Sequence, residues 1–207
     1  MKHWIPGLSL LIIAGLVAGC ATSPARKGQR LFAGCLDKVD DEATLESGLF
    51  VCKGDRDPQP FGGNGRACGD CHVPGDNFGM SGARIATLPD DHPFFFSGLD
   101  ENQRLLRADG LVHVIVPGQI DEFRQTPKLV HLQALCDEDG NCDALGLLGD
   151  RVRNLCVFSF QAITNHMAKT VERVPGRDFR APSREECEWL VAYMVSDLVA
   201  DQDERRR

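Results

Sequence analysis

The chain has 207 residues, of which 43% are apolar and 26% are charged, and its formal net charge at pH 7 is −7. This length suits one compact domain of ordinary size and leaves little chain for a second. The acidic balance argues against a nucleic-acid partner, because such proteins neutralise phosphates with lysine and arginine, and a partner steered by charge should present a basic face.

Residues 1–19 have the composition of a bacterial signal peptide, with one lysine before an apolar stretch too short to cross a bilayer comfortably as a helix. The stretch ends in Val-Ala-Gly-Cys, which resembles the lipobox, so we expect lipidation at Cys20. Ala21 is not the aspartate that retains lipoproteins at the inner membrane, which favours the outer membrane, facing the periplasm. An ordinary secretory signal or an uncleaved anchor is the alternative. Residues 20–27 then form a lipidated, flexible tether.

The remaining chain, residues 28–200, is expected to form one folded domain. Apolar residues at helical spacing predict a first helix over residues 28–36, and a weaker helical pattern covers residues 42–50. Residues 53–65 are rich in Gly, Pro and Asp, which predicts a loop that leads towards Cys68.

The second half of the chain carries one strand pattern, over residues 111–116, and one strong helix pattern at the C-terminal end. Ser183 with Glu186 three residues later predicts a capping box at the start of that helix. Residues 201–207 form a charged tail. Because no internal repeat and no other useful strand pattern is visible, an all-α fold class follows by elimination.

Nine cysteines are present, of which Cys20 is assigned to the lipid, and Cys68 and Cys71 belong to a Cys-X-X-Cys-His motif. Six remain in an exported protein, an even number that predicts up to three disulfides, with buried free thiols as the alternative. The sequence does not determine the connectivity. One plausible set joins neighbours along the chain: Cys35–Cys52, Cys136–Cys142 and Cys156–Cys187.

The most specific motif is Cys-Gly-Asp-Cys-His at positions 68–72. Two thiols three residues apart can each add to a haem vinyl group, and the adjacent histidine then becomes an axial iron ligand. A zinc site would need a second ligand pair at suitable spacing, and a thioredoxin-like site would need a βαβ context; neither is visible. We therefore predict one covalent haem c held by Cys68, Cys71 and His72.

Four stretches, at residues 28–32, 65–78, 123–129 and 155–199, are similar in order and content to the di-haem cytochrome c peroxidase family. The likeness is to the second haem domain of those proteins and to single-haem relatives. It implies a cytochrome c-like domain with long loops. Since this chain has only one Cys-X-X-Cys-His motif, the resemblance supports the fold and the haem site more than it supports peroxidase activity.

The second axial ligand decides the function, because a filled position suits electron transfer and an open one admits peroxide. The candidates are His92, His113, His131, His166, Met80, Met167 and Met194. In the resembling domains a helix after the Arg-Thr-Pro stretch supplies this ligand, which implies His166. Met167 is the rival, rotated by about 100° on a helix. The resemblance also implies that Arg124 lies near the haem as a partner for its propionates.

These observations predict a membrane-tethered cytochrome that carries electrons between redox proteins of the cell envelope. A peroxidase that reduces hydrogen peroxide is the alternative, which would require an open iron position and an external electron source. Whether the chain is an enzyme is left open by the sequence, with the carrier favoured. A gas-sensing or structural haem module has no visible output segment to support it.

Overall fold

The computed structural model describes residues 22–42, 48–116, 120–143 and 153–199. Its α-helices are α1 (Pro24–Ala33), α2 (Gly82–Ile85), α3 (Gln103–Asp109), α4 (Leu132–Leu135), α5 (Leu155–His166) and α6 (Arg184–Met194). Two strands, β1 (Leu111–Val116) and β2 (Ile120–Gln125), form an antiparallel hairpin. Short 3-10 helices span Pro60–Gly62, Cys68–Asp70, Pro74–Asp76 and Pro93–Phe95. The signal peptide, Cys20 and the tail at 201–207 lie outside the described residues.

The expected all-α, cytochrome c-like fold class is wrong, because β1 pairs with β2 along six residue pairs from Leu111↔Gln125 to Val116↔Ile120. The predicted strand at residues 111–116 is confirmed, but its partner was missed. The reason is physical: β2 has the sequence Ile-Asp-Glu-Phe-Arg-Gln, in which only Ile120 and Arg124 are half-buried. A strand exposed at most positions carries no apolar alternation to reveal it.

Helix α1 starts earlier and ends earlier than predicted. Ser23 caps it, accepting a hydrogen bond from the Arg26 amide at 3.3 Å, and Pro24 occupies the first turn. Residues 24–27 of the expected tether therefore belong to the folded domain. The helix stops at Ala33 because Gly34 adopts a left-handed conformation with φ 71°. Of the weaker helix expected over 42–50, residue 42 is helical, residues 48–50 are not, and 43–47 lie outside the described part.

Helices α1 and α6 pack closely along one face. A Cβ atom at Gly28 would lie 1.9 Å from the Trp189 carbonyl oxygen, so a glycine is required where the two backbones approach. The predicted capping box of α6 is confirmed: the Glu186 amide donates to Ser183 Oγ at 3.1 Å, and the Ser183 amide donates to the Glu186 carboxylate at 2.8 Å. Its buried side chains join those of α1 and α5 in the main core.

Three disulfides are present, and each joins neighbours along the chain as suggested: Cys35–Cys52, Cys136–Cys142 and Cys156–Cys187. The third links the first turn of α5 to α6, so it fixes the helix that ends at His166. Among the described helices, none is both long and apolar enough to cross a membrane.

The Cys156–Cys187 disulfide is expected to stabilise the fold more than the Cys136–Cys142 disulfide does. The two bonds join residues 31 and 6 positions apart. Loop-closure entropy then predicts losses in the free energy of unfolding of about 3–4 kcal/mol for Cys156→Ala/Cys187→Ala and about 2 kcal/mol for Cys136→Ala/Cys142→Ala. Urea denaturation of the two oxidised double variants measures both values, and a larger loss for the shorter loop would contradict the prediction.

Candidate functional site

The Cys-X-X-Cys-His segment forms a tight turn that follows Ala67. The amides of Cys71 and His72 both donate to the Cys68 carbonyl, at 3.2 and 2.9 Å, which brings the two cysteines onto one turn. Both carry free, half-buried thiols, and burial raises the pKa of each to about 12. They are therefore neutral thiols at physiological pH. The predicted attachment residues thus remain unpaired while six other cysteines form disulfides.

The central aspartate of the motif shapes this turn. Asp70 is buried; its carboxylate accepts the Ala67 amide at 2.7 Å and pairs with Arg56. A buried carboxylate with an amide donor and a guanidinium partner is the arrangement that makes such burial tolerable. No local sequence pattern indicates this role, since Arg56 lies 14 residues upstream in the loop.

His72 is held in a defined orientation by a backbone carbonyl. Its Nδ1 lies 2.8 Å from the Phe78 oxygen, so Nδ1 carries the proton and Nε2 is the unprotonated nitrogen. Asn77 and Phe78 both have left-handed backbone angles, φ 57° and 56°, and this turn carries the carbonyl to the ring. Burial lowers the pKa of His72 to about 4, which keeps the imidazole neutral, as a metal ligand must be.

A cavity of about 490 Å³ lies between this motif, the β-hairpin and α5. Its lining includes Cys71 and His72 on one side and His166 on another. A smaller space of about 50 Å³ adjoins it, reaches Cys68, and shares five lining residues with it: Cys71, His72, Phe158, Ala162 and His166. The two spaces together bring both thiols and two histidines to one apolar interior, within the size range of cofactor sites.

Helix α5 supplies the wall opposite the motif. Ala162 and His166 are four residues apart on one face, and the small Ala162 side chain leaves space beside the histidine. His166 lines both spaces, whereas Met167 lines only the smaller one. Met167 caps the helix and is buried in the main core, with its carbonyl accepting the Asn64 amide at 2.9 Å. The geometry therefore favours His166 over Met167 as the residue opposite His72.

The other candidate ligands have different surroundings. Met80 is buried in a separate hydrophobic cluster. Met194 is buried in the main core and, like Met167, lines the smaller space. His113 lies in β1, where Nε2 is 2.8 Å from Asp121 Oδ1 and the ring stacks on Phe123. His92 caps the 3-10 helix at Pro93–Phe95. His131 precedes α4 and is exposed. None of these three histidines lines the cavity.

Polar side chains occur at the hairpin side of the cavity. Arg124 lines it and pairs with Glu122 in the same strand. Two further lining atoms, Thr126 Oγ1 and Gln161 Oε1, are buried without a hydrogen-bond partner among the described residues. Unsatisfied buried polar atoms around a cavity indicate that a polar group completes them. The site thus fits a haem: thiols, two imidazoles, apolar walls and a polar edge suited to propionates.

An ion pair that the sequence analysis missed lies behind α5. The Arg66 and Glu101 side chains are only 2% and 1% exposed, and two hydrogen bonds of 2.8 and 2.7 Å join them. Although burial alone would favour the neutral acid, the neighbouring His166 and the paired Arg66 bring the pKa of Glu101 down to about 2. Arg66 also donates to the backbone oxygens of Pro93, Phe94, Phe96 and His166. It therefore ties the end of α5 to the motif.

No family model, curated protein or solved structure matches this chain. The resemblance to the di-haem peroxidases stays a prediction based on four stretches of sequence. Within the described ranges, no group of three or more His, Cys, Asp or Glu side chains is placed to hold a bare metal ion. The cavity between the Cys-X-X-Cys-His motif and His166 is therefore the feature of this chain that indicates a function.

Proposed function

We propose that this protein is a membrane-tethered c-type cytochrome that carries electrons through one covalently bound haem. The observation that carries the proposal is the pair of adjoining interior spaces, which Cys68, Cys71 and His72 line together with His166. When bound there, haem supplies one-electron chemistry at iron. Attachment requires no oxidant, because each thiol adds across a vinyl group, sulfur to one carbon and hydrogen to the other.

The residues of the chain are arranged to keep the site rigid. Phe78 orients His72 through the Nδ1 bond, and Phe32 packs with its ring centroid 6.1 Å from that of His72. A disulfide anchors the start of α5, and the Arg66 network holds its end. With an imidazole at each side, neither of which must move, an electron can enter or leave with little rearrangement. Arg124, Thr126 and Gln161 are the proposed partners of the propionates.

The cellular location is part of the proposal. Lipidation of Cys20 would attach the domain to the bacterial envelope, at the outer membrane facing the periplasm, beside redox partners with basic surfaces. We expect Cys20→Ser to move the protein from the membrane fraction to the soluble fraction, as measured by fractionation and immunoblotting. Persistence in the membrane fraction would contradict lipidation at this residue.

The visible absorption spectra of the ferric and ferrous protein separate the carrier from the peroxidase. A carrier with both axial positions filled gives low-spin, six-coordinate spectra in both states and consumes hydrogen peroxide no faster than free haem peptide. A high-spin component in either state together with rapid peroxide turnover would contradict the carrier and establish the enzyme. Reversible electrochemical titration on the same sample shows whether one haem exchanges one electron.

A further inference from the structure

We propose that Glu101 is a positioning residue for the distal ligand: its carboxylate accepts a hydrogen bond from Nδ1–H of His166 and so leaves Nε2 of that ring free to face the iron. This inference rests on the proposed function. It goes beyond it by assigning a role to Glu101, whereas the electron-carrier proposal uses only its partner Arg66, as the residue that holds the end of α5.

His166 has a ring nitrogen without a partner in the described part of the chain. Its Nδ1 is buried without a hydrogen-bond partner among the described residues, and the nearest acidic atom is Glu101 Oε1 at 3.9 Å. A ring nitrogen that is enclosed in this way needs a partner. Shortening this separation by about 1 Å would make an ordinary N–H···O bond. Ring rotation upon iron binding can supply that movement, because the side chain, 19% exposed, borders open space.

Glu101 can accept a further hydrogen bond. Each carboxylate oxygen receives one hydrogen bond from Arg66, and each oxygen can accept more than one. Arg66 compensates the charge, so the carboxylate can stay ionised in a buried place. The guanidinium is itself fixed by the backbone oxygens of Pro93 and Phe94, at 2.9 and 2.6 Å. The acceptor is therefore held in place before the ligand forms its bond.

The two histidines face acceptors of different charge. His72 donates Nδ1–H to a neutral carbonyl, that of Phe78, whereas His166 faces a carboxylate. A charged acceptor makes a stronger hydrogen bond and raises the basicity of the other ring nitrogen. The distal imidazole should then bind ferric iron more tightly than an imidazole with a neutral partner, which stabilises the closed, six-coordinate state.

The test uses the full-length haem-loaded protein and its Glu101→Gln variant, with added imidazole as a competitor for the position of His166. Loss of an outer-shell partner typically weakens a metal ligand by about 10- to 100-fold. In Glu101→Gln, His166 should therefore be displaced at an imidazole concentration roughly tenfold or more lower than in the wild type, and the reduction potential should be higher. Asp100→Asn is the matched control, because this neighbouring carboxylate pairs with Arg173 instead. An unchanged displacement curve in a folded Glu101→Gln protein would overturn the inference.

A measurement on the wild type covers the case in which Glu101→Gln does not fold. In the ferrous protein with ¹⁵N-labelled histidine, the Nδ1 proton of His166 should resonate downfield of that of His72, which serves as the internal reference. Coincident shifts, or no slowly exchanging Nδ1 proton on His166, would overturn the role of Glu101 while leaving the haem site intact. Ferric and ferrous spectra without low-spin, six-coordinate character would instead refute the proposed function, and with it this inference.

Discussion

Replacing Arg66 with Met is expected to lower the free energy of unfolding by about 3–5 kcal/mol, the range observed when one partner of a buried ion pair is removed. The variant leaves the Glu101 carboxylate enclosed and uncompensated, and it removes the donor to four backbone oxygens around the end of α5. Arg66 therefore contributes to the free energy of unfolding mainly because it keeps the Glu101 carboxylate from being an unpaired buried charge, and less through Coulomb attraction. Urea denaturation monitored by circular dichroism gives the value.

The matched control is Arg66→Met/Glu101→Gln, which removes the unpaired charge but loses the same four hydrogen bonds. It should be more stable than Arg66→Met alone, and equal or lower stability would show that the charge is not the cause. The pH dependence supplies a second check. In the wild type the pKa of Glu101 is lowered to about 2, so its contribution is complete above about pH 4.5 and is lost as the pH falls towards 2. In Arg66→Met the carboxylate loses its guanidinium partner, so acidification should stabilise that variant relative to the wild type.

Replacing His166 with Ala should vacate the second axial position without detaching the haem. The proposed thioether residues and His72 lie outside α5, so haem content per chain should be unchanged. If the open state is about 0.1–10% populated in the wild type, removal of the competing imidazole raises the apparent affinity for azide by about 10- to 1,000-fold. The ferric spectrum should change from low-spin to high-spin, and azide titration gives the affinity.

Met167→Leu is the control for this experiment, because it preserves apolar volume next to His166 and removes the thioether of the rival ligand. Its spectrum should match the wild type. A low-spin spectrum in His166→Ala that is lost in Met167→Leu would assign the ligand to Met167 and contradict the choice of His166.

The sequence was most informative where chemistry and local pattern coincide. Ser183 and Glu186 reveal a capping box because both partners lie within one helical turn. Export together with six remaining cysteines predicts disulfides, and the structure pairs them between neighbours along the chain. The interval from Ala162 to His166 places both residues on one face of a helix, and that face borders the cavity.

Other features depend on contacts that no local pattern records. Arg66 and Glu101 are 35 residues apart, and a lone arginine with a distant glutamate gives no indication of a buried pair. The Phe78 carbonyl that orients His72 is brought to the ring by a turn in which two residues, neither of them glycine, have left-handed backbone angles. Sequence propensity disfavours such angles for these residues. Strand β2 was missed because its side chains are mainly exposed, so pairing with β1, rather than burial, determines its conformation.

The most direct test of the haem site is whether the mature protein carries haem through covalent bonds at Cys68 and Cys71. On a denaturing gel the wild-type band should stain for haem peroxidase activity, and its intact mass should exceed the apoprotein mass by one haem. Cys68→Ala/Cys71→Ala should lose both signals while retaining the three disulfides. A wild-type mass without haem, or haem that is extracted from the wild type by acidified acetone, would contradict the covalent site on which the proposed function rests.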